Sequence, residues 1–170
     1  MKNKSSVIES LTGSFLVSTQ QMPDPRFEEQ VIFICAHNNE GAMGVAVNKT
    51  NGIFSIEDIL EGAGLQIPPV ALPPVHIGGP VELESAFILH TTEYYNENQL
   101  EITPTVAMSR EKTVLEDIAN NSGPEKYLFL LGYAGWGPGQ LEFELMDGGW
   151  LTVPGDDSII FDIPDDEKWK

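Results

Sequence analysis

The chain has 170 residues, 41% hydrophobic and 21% charged, the size and balance of one globular domain that buries a core without disulfides or metals. Twenty-six acidic against nine basic residues leave a formal charge of −17. That charge opposes contact with DNA, RNA or an anionic membrane, which are bound by neutralising phosphates; it favours solubility or, as a second reading, attraction to a basic partner or cationic ligand. No apolar run is long enough to span a bilayer, and Lys2 and Lys4 are not followed by the apolar stretch of a secretory signal. The single cysteine, Cys35, excludes an internal disulfide and a multi-thiolate metal site within the chain. These features predict one cytoplasmic domain over residues 1–170, with a short acidic tail from about residue 162 to 170 that Trp169 pins.

In chain order, residues 14–19 form a short apolar–polar strand. Residues 31–37 are apolar on both alternating faces, which predicts a strand covered on two sides. The turn-like Asn38-Asn39-Glu40-Gly41 leads to a paired strand over 44–48. A helix over 56–63 starts at Ser55, with Asp58 completing a capping box, and closes at Gly64. Strands are expected over 75–77 and 86–90. A further strand over 100–108 contains Pro104, the mark of an edge or a bulge. Ser109 is read as the cap of a second helix with an apolar stripe of Val114, Leu115 and Ile118, stopped by Gly123-Pro124. A strand over 127–131, a short helix over 140–147 and a last strand over 159–163 complete the series. The mixture lacks strict strand–helix alternation, so the expected class is α+β with a mixed sheet.

Few of these residues suggest chemistry. Gly135-x-Gly137-x-Gly139 matches neither the dinucleotide fingerprint nor the Walker loop. Glu142 and Glu144, at the start of the next helix, would repel a phosphate. The glycines either permit tight turns beside Tyr133 and Trp136 or frame a ligand or partner surface centred on Trp136. Cys35 and His37, two residues apart on a strand, share a face about 6–7 Å apart, too far for a direct hydrogen bond. Cys35 also lacks the electropositive setting of a nucleophile. His37, His76 and His90, with Glu40, Glu82, Glu84 or Glu93, offer imidazole and carboxylate donors but no helical HExxH or regular ligand spacing, so neither a metal nor a cofactor is expected. Gly78-Gly79-Pro80 is a turn, or a place where a ligand or the Trp136 loop approaches closely. No Gly-x-Ser-x-Gly elbow supports serine-hydrolase chemistry.

Three runs carry a resemblance that spans nearly the whole chain. The first is Cys35-Ala36-His37-Asn38-Asn39-Glu40-Gly41-Ala42-Met43-Gly44, preceded by Met22-Pro23-Asp24-Pro25-Arg26-Phe27. The second is Gly78-Gly79-Pro80-Val81, leading to Phe87-Ile88-Leu89-His90. The third is Leu131-Gly132-Tyr133-Ala134-Gly135-Trp136-Gly137-Pro138-Gly139-Gln140-Leu141-Glu142, followed by Trp150-Leu151. Their order and content resemble the AlgH/YqgE family, as does the end of the chain from Phe161 to Trp169. The chain departs from the family pattern at Ala36, where a Glu is frequent, at Ser85-Ala86, where Arg-Gly is frequent, and at Thr50, where a Pro is usual. The resemblance implies a single domain whose mixed sheet bifurcates and folds toward a pseudo-barrel flanked by helices. It also implies a label of transcriptional regulator, attached through alginate production in one branch, with no catalytic residues to carry over.

The resulting reading is a non-enzymatic regulatory or protein-binding module with a protein partner, any transcriptional effect being indirect. The alternative is a small-molecule binder or enzyme with a pocket between the turn at residues 78–80 and the loop over 132–140. In that pocket Trp136 would form an apolar wall, with Gln140, Glu142 or His90 as polar groups, and Gly78 and Gly79 are binding candidates on the turn. His37 and Asn38 are further binding candidates.

Overall fold

A computed structural model describes residues 10–19, 29–50, 55–70, 72–95, 99–163 and 168–169. The family-like run at residues 22–27 lies outside them, as do residues 164–167. The strand with two apolar faces is β2 (Val31–Asn38). It forms a hairpin with β3 (Gly41–Ala46), Asn38 pairing with Gly41 across the two-residue turn Asn39-Glu40. The strand after the turn therefore starts three residues earlier than the pattern predicts. β1 (Phe15–Ser18) lies antiparallel on the other side of β2.

The remaining elements are α1 (Ile56–Gly62), β4 (Val75–Ile77), β5 (Val81–Thr91), β6 (Leu100–Glu101), β7 (Val106–Ser109), α2 (Lys112–Ala119), β8 (Tyr127–Trp136), α3 (Gln140–Met146), β9 (Trp150–Val153) and α4 (Asp157–Phe161). The predicted capping box forms: the Ser55 hydroxyl accepts from the Asp58 amide and the Asp58 carboxylate accepts from the Ser55 amide. Three expectations need correction, and one strand was not expected. Residues 100–108 are not one strand but a hairpin, β6 and β7, folded around Pro104. Ser109 ends β7 instead of capping α2, whose N-cap is Glu111 without a side-chain cap. Residues 159–163 belong mostly to helix α4, because Asp156 accepts from the Ser158 amide and starts a helical turn that overrides the β-branched pair Ile159-Ile160. β9 pairs with β1 over Phe15–Ser18, a partnership between distant parts of the chain that no local signal announces.

The strands run in the order β6-β7-β5-β8-β3-β2-β1-β9. β4 adds to β8 in parallel over Phe129 to Leu131, while β3 pairs with β8 over Ala134 to Trp136. The sheet is therefore mixed, and it forks along β8. The domain is a single α+β unit whose sheet curls into a half-barrel with four helices. The curl is visible in one contact: the Cys35 Sγ on β2 and the Met108 Sδ on β7 lie 4.0 Å apart although three strands separate them in the sheet. The concave face holds the main core, with Phe15, Phe33, Val45, Leu89, Leu130 and, from α4, Ile160. On the convex face α3 covers one wing through Leu141, against Leu16, Ile34, Trp136 and Trp150. α1 and α2 cover the other through Ile56, Leu60, Val114 and Ile118, against Val75, Ile88 and Phe129.

The fork explains the second glycine run. Gly78 and Gly79 follow β4 at the point where β8 exchanges β4 for β3 as its neighbour. The Gly78 amide donates to the Leu131 carbonyl and its carbonyl accepts from the Ala46 amide, tying both branches to one residue. A Cβ on Gly78 would lie 2.4 Å from the Gly132 carbonyl oxygen, and one on Gly79 would lie 2.2 Å from the Tyr133 carbonyl carbon. At Gly132 itself φ is +77°, a left-handed turn of the strand that favours glycine. The tail is fastened as expected. Trp169 Nε1 donates to the Ser18 carbonyl, and the buried Lys168 Nζ donates to the Val47 and Ile160 carbonyls.

Candidate functional site

Four of the sequence candidates, His37, Trp136, Gln140 and Glu142, meet where α3 docks on the sheet. β8 runs through Gly132 to Trp136, so most of the glycine-rich run is strand and not loop; the true turn is 137–139, with Gly139 at φ +75° before α3. Trp136 is 6% exposed and Trp150 2%, their rings edge to face at 6.2 Å. Both indole N–H groups donate to one oxygen, Glu144 Oε1, at 2.9 and 3.0 Å. Glu144 Oε2 accepts from Gln140 Nε2, and Gln140 Oε1 accepts from the Gly137 amide. Glu144 is thus the centre of the cluster. The sequence offers only a weak sign of it, a carboxylate eight residues after Trp136 and six before Trp150.

His37 completes the cluster from β2. Its Nδ1 accepts from the Leu11 amide at 3.0 Å, so the proton sits on Nε2, which donates to Glu142 Oε2 at 2.8 Å. Both ring nitrogens are engaged, so this imidazole ties β2 to α3 and to the segment at Leu11. The hydrogen bond from His37 keeps the Glu142 carboxyl below its ordinary value, against the opposing effect of burial. A lowered carboxyl value contributes stability that is complete above the unfolded value and disappears as pH falls through the folded one. Urea midpoints measured downward from about pH 4.5 should therefore fall more steeply for the wild type than for Glu142→Gln. Parallel profiles would show that the pair contributes nothing.

The expectation that Cys35 and His37 share a face is not met. Ile34 pairs with Gly44 and Ala36 with Met43, so Cys35 is an extra residue in a β-bulge. Cys35 joins the concave core, while His37 pairs with Ala42 on the convex side beside Trp136. Burial pushes the Cys35 thiol up to about 12. An aromatic disulfide reagent at pH 8 should leave the native protein unlabelled and react fully only after unfolding; rapid native labelling would contradict the burial.

His90 is not near this cluster. Its Nδ1 donates to the Thr91 carbonyl, so Nε2 accepts the Ser109 hydroxyl at 2.7 Å. Burial lowers its pKa and keeps it neutral. This serine–histidine pair, which only the β5–β7 register brings together, has the connectivity of a nucleophile and its base. Both residues are sealed, at 1% and 0% exposure, with the Tyr94 ring edge-on to the imidazole, so it serves the interior. His76 Nδ1 donates to the Pro74 carbonyl in a third location. Among the described residues no three His, Cys, Asp or Glu side chains converge as metal ligands. No helix of the described residues is long and apolar enough to cross a membrane.

Of the pocket expected between residues 78–80 and 132–140, the part between Gly78-Gly79 and Gly132-Tyr133 is closed, because these residues lie backbone to backbone. Asn38 is a turn residue whose Oδ1 accepts from the Glu40 amide. It shares with Trp136 only a shallow groove of 260 Å3, together with Glu40, Ala42 and Met43. What α3 leaves to solvent is different: Phe143 is 68% exposed and Met146 89%. They stand three positions apart on one face of the helix.

The sequence profile of the AlgH-like family (DUF179) matches residues 15–170. A UPF0301 protein of Desulfotalea psychrophila is 48% identical over 170 residues, covering 100% of this chain and 90% of its own length. A UPF0301 protein of Paracoccus denitrificans is 45% identical over 165 residues, covering 95% and 87%. The solution structure of the AlgH protein from Pseudomonas aeruginosa superposes with a TM-score of 0.76 at 40% identity, over 96% of this chain and 86% of that one. The crystal structure of a Corynebacterium diphtheriae protein, at 22% identity and a TM-score of 0.75, shares the fold.

Proposed function

We propose that this chain, which belongs to the AlgH-like UPF0301 family, is a cytoplasmic, non-enzymatic module that binds a protein partner through the outer face of α3. The observation that carries the reading is the division of labour on α3. Leu141, Glu142 and Glu144 are spent on the sheet, so the helix is held rigidly while Phe143 and Met146 point outward. A fixed helix loses little backbone entropy on binding, and aromatic and methionine side chains are both enriched at interfaces. Transcriptional effects are indirect in this reading, because a charge of −17 repels nucleic acid.

The test compares immobilised wild-type chain with Phe143→Asp/Met146→Asp in extracts of the host. Both positions are exposed, so the variant should keep its melting temperature. Proteins retained specifically by the wild type should fall by about ten-fold or more on the variant. Identical retained sets, or none on either, would refute the reading. A mobility shift with nanomolar affinity for duplex DNA at physiological salt would refute indirect action.

A further inference from the structure

A second feature lies on the opposite wing of the sheet from α3. It is a cleft of 480 Å3, within the range that holds a small molecule. Separate segments wall it. Val70 and Leu72 come from the connection between α1 and β4, Ile118 from α2, Tyr127 from the start of β8 and Phe161 from the end of α4. The two aromatic rings, with Pro73 and Pro124, present flat surfaces suited to a ring.

The rim carries both signs of charge. Glu125 and Lys126 stand side by side there, with the amide of Asn121 nearby. The ammonium of Lys126 reaches Asp162 Oδ1 at 2.9 Å, and both side chains are 47% exposed. An ion pair this open to water contributes little to stability, so a ligand carboxylate can take the place of Asp162 at low cost. Lys126 is the only cation between Arg110–Lys112 and Lys168, so the sequence places a rare positive charge at the mouth of a cleft that also carries aromatic rings.

The whole-molecule charge narrows the ligand further. A simple anion would be repelled by a surface of charge −17. A simple cation would face Lys126 at this rim while finding carboxylates almost anywhere else. A small molecule that is neutral in total, with a carboxylate and an ammonium on one carbon and a ring behind them, avoids both penalties. We infer that the cleft is a binding site for a small zwitterion of the aromatic α-amino-acid class. The ring lies between Tyr127 and Phe161, the carboxylate takes Lys126, and the ammonium faces Glu125 and Asp162.

The experiment is an amide NMR titration of the full chain with L-phenylalanine and L-tryptophan, against 3-phenylpropionate and 2-phenylethylamine, which each carry one charge. Saturable shifts are expected at Gly123, Lys126 and Tyr127, with a Kd of about 1 mM or below, and at least about ten-fold weaker binding of both controls. Lys126→Gln should weaken binding by about ten-fold, and Val70→Trp, at a half-exposed position of the wall, should abolish it, both with unchanged melting temperature. The inference is overturned by the absence of saturable shifts up to about 10 mM, by controls that bind as well as the amino acids, or by binding that survives Val70→Trp.

Discussion

Glu144→Ala is expected to destabilise the protein by about 3–5 kcal/mol, measured as a lowered denaturant midpoint followed by tryptophan fluorescence. One carboxylate oxygen accepts from the indoles of Trp136 and Trp150, and the other accepts from Gln140. Truncation leaves two indole N–H groups without their acceptor on side chains that are almost fully enclosed. Each such loss costs about 1–3 kcal/mol, and bonds to a charged acceptor lie at the upper end. Glu144→Gln keeps a carbonyl for the indoles but turns an amide NH2 toward the NH2 of Gln140. If Gln140 rotates to accept, it gives up the Gly137 amide. That variant should lose only about 1 kcal/mol. A Glu144→Ala loss below about 1 kcal/mol would mean that water replaces the carboxylate, and that α3 is held by Leu141 and the His37–Glu142 bond.

Gly79→Ala should be severely damaging. The added carbon would sit 2.2 Å from the Tyr133 carbonyl carbon, 2.3 Å from its oxygen and 2.5 Å from the Ala134 nitrogen. All three are backbone atoms of β8, so no rotamer change relieves the clash. The fork must open, and with it the bonds that tie Gly78 to Leu131 and Ala46. A loss of about 3 kcal/mol or more, or failure to accumulate folded protein, is expected. Gly62→Ala is the control. It closes α1 with nothing within 4 Å of the new carbon and should be neutral or stabilising by about 0.5–1 kcal/mol. Equal behaviour of the two variants would show that the branches of the sheet are not in contact at Gly79.

Elements whose cause is local could be read in advance. The capping box at Ser55, the two-sided apolar run of β2 and the turn at Asn39-Glu40 each depend on residues a few positions apart. Elements whose cause is a distant partner were misread or missed. β9 exists because β1 offers it an edge, and residues 157–161 are helical because Asp156 caps them and Ile160 fills the concave core. In the α3 cluster the residues stood out as a pattern, but their role was not legible. Trp136, Gln140 and Glu142 looked like pocket chemistry, whereas Glu144, His37 and Gly137 consume their polar groups in docking the helix.

Composition and motif order alone determined an acidic α+β domain of the AlgH-like kind, with Gly78, Gly79 and Gly132 as places of close backbone approach or turning. Only the tertiary structure decided that these glycines are the joint of a forked sheet, that a bulge at Cys35 sends His37 to the opposite face, and that Phe143 and Met146 remain outside. The reason is physical. Backbone freedom and face alternation are properties of a few neighbouring residues, but which face is covered, and which polar group is left without work, depends on strands that meet only when the sheet curls.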